Sequence, residues 1–208
     1  MRTERHRYAG PGLIRPLAAV TLWIGIVGAG WGVAYAINGA TQAPAYVTVP
    51  VALSGFVGPE LADPPVRLPD GVLLRPGSGA AELQAWDSTI PEQLLSRGDT
   101  AVTGLCLGFG ALLLHGLLTS VLRGEPFEAG NPRRVAGLAA LVAFAGLVGE
   151  ALPHVAASMV LGRLRLDPSH LVGMPIPFVP VGVALLLLVL AEAFRQGGRL
   201  AGDAAGTV

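Results

Sequence analysis

Lysine is absent from this 208-residue chain, and all 14 basic residues are arginine. Cysteine occurs once, at Cys106, which excludes an intrachain disulfide framework and a cysteine-built zinc site. Charged residues make up 13%, about half of the ~25% usual in a soluble domain. The net charge is zero, so no global field attracts nucleic acid, and no direct nucleic-acid binding is expected. Signatures of catalysis are missing as well. There is no glycine-rich phosphate loop, no His-Glu-x-x-His and no Gly-x-Ser-x-Gly. The sequence therefore assigns no catalytic, cofactor-binding or metal-binding residue, and the chain reads as a non-enzyme that needs no cofactor.

What is present is apolar. Hydrophobic residues make up 52%, with 29 glycines and 17 prolines, and the mean hydropathy is +0.59. A disordered chain does not look like this. A helix crosses the ~30 Å hydrocarbon core with ~20 largely apolar residues, and four segments qualify: 16–37, 100–122, 135–161 and 175–194. The expected fold class is an all-α membrane protein of four transmembrane helices, with a small β-rich extracytoplasmic insertion between the first two. Residues 1–15 then form an N-terminal tail, 38–99 the insertion, 123–134 an inner loop, 162–174 an outer loop and 195–208 a C-terminal tail. Pro175, Pro177 and Pro180 blur the start of the fourth span.

Arginine placement sets the orientation. Arg2, Arg5, Arg7, Arg15, Arg123, Arg133, Arg134, Arg195 and Arg199 fall on one side; Arg67, Arg75, Arg97, Arg163 and Arg165 fall on the other. The positive-inside rule makes the termini and the 123–134 loop cytoplasmic. The arginine-bearing start, the apolar run and Ala34-Tyr35-Ala36 imitate a cleavable signal peptide. The run is longer than a signal-peptide core, so retention as a span is the expectation. Cleavage would leave three spans.

The insertion carries strand signals at Ala45–Leu53, at Val66–Leu68 and Val72–Arg75 around the turn Pro69-Asp70-Gly71, and at Ala81–Trp86. Three or four strands are expected, leaning on the bilayer or on partners. Thr89-Ile90-Pro91-Glu92 has the form of a capping box opening a short helix. The small-residue stripes Gly28-x-x-x-Gly32 and Gly104-x-x-x-Gly108 suit close helix packing, inside the chain or between copies.

Glu150 and His154 share a face of the third span, ~22 Å and ~28 Å along it from Val135. This intramembrane pair reads either as a proton-relay or ligand site or as a local Glu–His hydrogen bond near the outer interface, loosened by Pro153. His115 lies too far towards the inner side to join it. Cys106 reads as a small buried hydrophobe.

On the inner side, Pro126 breaks the second span and Phe127 anchors the turn. Asn131 is expected to cap the third helix, with Pro132 at its first position, a contact worth about 1 kcal/mol. Arg134 and its neighbour Arg133 sit among lipid phosphates. Glu192 pairs with Arg195, and Gly197 is expected to end the fourth helix, so that the tail folds back beside the loop. These two stretches carry a resemblance. Pro126-Phe127 followed by Asn131 and Arg134, together with Glu192-x-Phe194-x-x-Gly197-x-x-Leu200-x-x-Asp203 closing on Gly206-Thr207-Val208, resemble the bacterial integral membrane proteins of unknown-function family 2975. The resemblance implies four transmembrane helices in a bacterial cell membrane. Many relatives have Glu where this chain has Gly130. The family has no established activity. Some members are encoded beside a small helix-turn-helix regulator, which implies signalling.

The functional reading is a membrane sensor or regulatory partner, with Pro126, Phe127, Asn131, Arg134, Glu192, Phe194, Gly197, Leu200 and Asp203 as the candidate interaction motif. Its partners would be the lipid bilayer and either a cytoplasmic regulatory protein or a second membrane subunit. The alternative is a small transporter or permeation subunit that uses Glu150.

Overall fold

The computed structural model describes residues 11–51, 68–76, 81–166 and 177–205. In chain order the elements are α1 (Pro11–Thr41), β1 (Val47–Val51), β2 (Val72–Pro76), β3 (Ala81–Ala85), α2 (Ile90–Ser96), α3 (Gly98–Leu122), α4 (Asn131–Leu164) and α5 (Phe178–Ala205). The helices α1, α3, α4 and α5 are each long and apolar enough to cross a membrane. A three-stranded sheet lies between the first two of them in sequence. The expectations placed on Arg2, Arg5, Arg7, Arg67, Val66 and Gly206-Thr207-Val208 lie outside the described residues.

The long helices exceed the expected spans. α1 begins at Pro11 and holds Pro16 inside, and α4 runs for 34 residues from Asn131. At 1.5 Å per residue α4 is ~51 Å long. α5 does not stop at Gly197 but continues to Ala205. Glycine costs only about 1 kcal/mol in a helix interior, which is too little to end one whose flank is packed.

By contacts the chain divides into two compact units. One comprises Met1–Ala29, Leu105–Phe144 and Phe178–Val208, and the other Gly30–Gly104 and Ala145–Pro177. In the second unit the sheet has the order β1-β3-β2, antiparallel throughout, with Val49 opposite Leu83 and Leu74 opposite Leu83. Strand side chains alternate between faces. Val47, Val49, Val51, Val72, Ala81, Leu83 and Ala85 are therefore buried together on one face, against Ala156, Ala157, Val160 and Leu161 of α4. The expected turn forms: the Val72 amide donates to the Pro69 carbonyl, and Gly71 has φ +79°.

The capping box also forms. The Glu92 amide donates to Thr89 Oγ1, and the Thr89 amide to Glu92 Oε2 at 2.8 Å. Glu92 is only 2% exposed. Its other oxygen accepts from Arg163 Nε at 2.9 Å, and Arg163 Nη1 donates to the Trp86 carbonyl. That arginine was not legible as the partner, because it lies 71 residues further along the chain.

The glycine stripes close α1 onto α3 within each unit. A Cβ added at Gly32 would lie 2.9 Å from the Thr100 carbonyl oxygen and 3.1 Å from Gly104 Cα. One added at Gly108 would lie 2.9 Å from Ala29 Cβ, and one at Gly25 would collide with Ala111.

Candidate inner-loop site

The helix α3 ends where Gly124 takes φ +82°, a conformation that favours glycine. The chain then turns tightly: the amides of Glu125, Glu128 and Asn131 donate to the carbonyls of Ser120, Glu125 and Glu128. This turn delivers Asn131 into the interior, where it is 0% exposed. Its side chain does not cap α4. Asn131 Nδ2 donates to Ser120 Oγ at 2.7 Å and to the Pro126 carbonyl at 2.8 Å, and Oδ1 accepts from Arg134 Nη1 at 2.6 Å. The first-turn amide of Arg134 is instead taken by the backbone carbonyl of Gly130. The cap expectation fails because a fully buried amide must satisfy both its donors and its acceptor, and the turn provides partners for each.

Arg134 carries the network outward. Its Nη1 also reaches Glu128 Oε2 at 3.2 Å and the Gly116 carbonyl at 3.3 Å. Gly116 leaves space for that stem, since a Cβ there would lie 2.9 Å from Arg134 Nε. Arg123 Nη2 donates to the same Glu128 oxygen at 2.8 Å. One carboxylate thus bridges two guanidinium groups. Ser120, Arg123 and Glu128 were missed by sequence reasoning. The available signal was a serine and paired charges at the border of an apolar run.

Phe127 is held from the other side by α5. Its ring lies 5.9 Å from that of Phe194, tilted by 52°. A Cβ on Gly197 would lie 2.5 Å from Phe127 Cε1, and one on Gly198 would lie 3.3 Å from the Phe127 carbonyl oxygen. Gly197 thus serves as the flat seat of an aromatic ring rather than as a helix stop. At Gly197 and Gly198 the chain passes the loop as helix, and α5 runs on to Ala205 without folding back. Glu192 accepts from Arg195 Nε at 2.6 Å and from Gln196 Nε2 at 2.9 Å. Leu200 is 71% exposed, and Arg133 and Asp203 are also exposed.

The structure does not bring the Glu150 carboxylate and the His154 ring together. His154 Nδ1 bonds to the Glu150 backbone carbonyl at 2.8 Å. The Glu150 side chain is exposed, with no hydrogen bond or ion pair among the described residues. The local Glu–His bond therefore uses the main chain. His115 Nδ1 bonds instead to the Ala18 carbonyl of α1, at 3.2 Å. Two clefts of about 230 and 550 Å³ share Phe109 and Leu112, and no ionisable side chain lines either. Among the described residues no His, Cys, Asp or Glu cluster is placed to hold a metal ion.

The family described as protein of unknown function (DUF2975) matches over residues 100–208, more than half of the chain. That stretch contains α4, α5 and the entire inner-loop network. No curated protein and no solved structure matches.

Proposed function

The chain belongs to the DUF2975 family, and from that premise we propose a multi-pass protein of the bacterial cell membrane that acts without catalysis, as a sensor or regulatory partner of another protein. α1, α3, α4 and α5 span the bilayer, and both termini and the 123–134 loop face the cytoplasm. Four helices of sufficient length and apolar character support the first statement, and the excess of arginine at one set of ends supports the second.

One observation carries the choice of surface. The loop is built rather than loose: its buried Asn131 and bridging Glu128 fix it from within, and α5 clamps Phe127 from without. Ordering a loop costs conformational entropy, which this network offsets. What it leaves exposed is Arg133, Glu125, half-exposed Phe127 and, on α5, Leu200. Apolar anchors rimmed by charge are the composition of a protein-docking surface.

The test is site-specific photo-crosslinking of the full chain in native membranes. A crosslinker at Leu200 and one at Arg133 should capture the same protein, and Phe127→Ala should abolish both adducts. A crosslinker at the exposed Val179 should not capture it. Lipid adducts alone at Leu200 and Arg133 would sink the reading.

A further inference from the structure

The outward face of the sheet is graded from aromatic to charged. One step beyond the pair Val47–Ala85, Tyr46 and Trp86 stand together on this face, with ring centroids 5.9 Å apart in an edge-on arrangement. They are 51% and 56% exposed. Gly71 completes the row: its carbonyl accepts from the Trp86 amide, and a Cβ there would touch the Trp86 indole. The next row along the strands, ~7 Å away, is Thr48, Gln84 and the exposed Leu73. The row after that is Pro50, Glu82 and Arg75, the last two exposed and charged. Asp87 follows Trp86 and adds one acid at the aromatic end. The opposite face of the sheet is occupied by α4.

The aromatic row lies at the end where the chain enters and leaves the long helices. Tyr46 is five residues beyond the last residue of α1, a tether of at most ~18 Å. Trp86 is followed closely by α2, whose first residue Ile90 is 55% exposed, and then by α3. On α1 itself the rings of Trp31 and Tyr35 stack at 6.4 Å, and the Arg97 guanidinium lies 5.2 Å over Tyr35. Exposed tryptophan and tyrosine with an apolar body and one polar edge favour the zone of lipid head groups.

We infer that the Tyr46–Trp86 end of the sheet is a membrane-interface anchor, seated among the head groups of the outer leaflet with Ile90 beside it. The charged row of Glu82 and Arg75 faces the aqueous phase. The partner is a lipid surface, and this inference rests on the membrane-spanning reading above.

The chain has three tryptophans, so the test needs two single-tryptophan proteins. Trp23→Phe with Trp31→Phe leaves Trp86, and Trp31→Phe with Trp86→Phe leaves Trp23, near the middle of the apolar part of α1. Each full chain is reconstituted into phosphatidylcholine vesicles with nitroxide labels at shallow or deep positions of the acyl chain. Trp86 should emit at a blue-shifted wavelength, resist iodide, and be quenched more by the shallow label than by the deep one. Trp23 should show the reverse preference. Trp86 that ignores both labels, while Trp23 is quenched, overturns the anchor and leaves the spanning reading standing. Iodide access then means that the face is in water; iodide exclusion means that protein covers it. Trp23 that escapes the deep label removes the spanning reading, and the anchor with it.

Discussion

Asparagine and aspartate are near-equivalent as helix N-caps, because either one offers an oxygen to the first-turn amides. At Asn131 the donating nitrogen is the part in use, aimed at Ser120 Oγ and the Pro126 carbonyl. Asn131→Asp would therefore set an oxygen against the Pro126 carbonyl. It should destabilise the protein at least as much as Asn131→Ala, each by about 1–3 kcal/mol, as read by thermal unfolding in detergent. Wild-type stability of Asn131→Asp would restore the capping role. Glu150 is the contrasting case. Its carboxylate is exposed and unpaired among the described residues, so Glu150→Gln should move stability by no more than about 0.5 kcal/mol. Abolition of an ion-dependent uptake activity in vesicles by that variant would instead favour transport.

The packing of α1 on α3 turns on which glycines face a backbone. At Gly32 an added methyl meets the Thr100 carbonyl and Gly104 Cα, which cannot rotate away. At Gly30 it meets nothing within 4 Å. Gly32→Ala should cost about 1–3 kcal/mol through forced separation of the helices. Gly30→Ala should be neutral or stabilise by up to about 1 kcal/mol through helix propensity. Equal effects of the two variants in thermal melts would refute the close approach. The stripe was legible because small residues at a spacing of four need only one helix to be recognised. So were the strands, β1 from its β-branched residues and β3 from its alternation, and the Pro69-Asp70-Gly71 turn beside β2, from its residue types. The end of α5 was not legible, because Gly197-Gly198 reads locally as a stop. The helix instead continues where the Phe127 ring, from a loop about 70 residues earlier, packs on Gly197. The role of Asn131 was hidden for the same reason: Asn-Pro is a cap signal by itself, and Ser120 becomes its partner only once the turn has closed.

Orientation belongs to the whole molecule, since no single helix states which way it runs. On the proposed spanning reading, nine arginines at one set of ends against five at the other are what favours cytoplasmic termini. Because the arginines are shared among the N-terminal segment, the 123–134 loop and α5, no one of them decides the topology alone. Neutralising Arg133 by itself should therefore leave the orientation unchanged. The check uses exposed positions on the described surface, in a chain whose Cys106 is replaced by Ala. Glu82→Cys and Arg75→Cys, on the outward face of the sheet, should react with an impermeant thiol reagent added to intact cells. Glu125→Cys and Leu200→Cys should react only after the cells are permeabilised. The inverse pattern would turn the loop and α5 surface away from the cytoplasm. It would exclude a cytoplasmic partner there even if every helix and contact within the chain were as described.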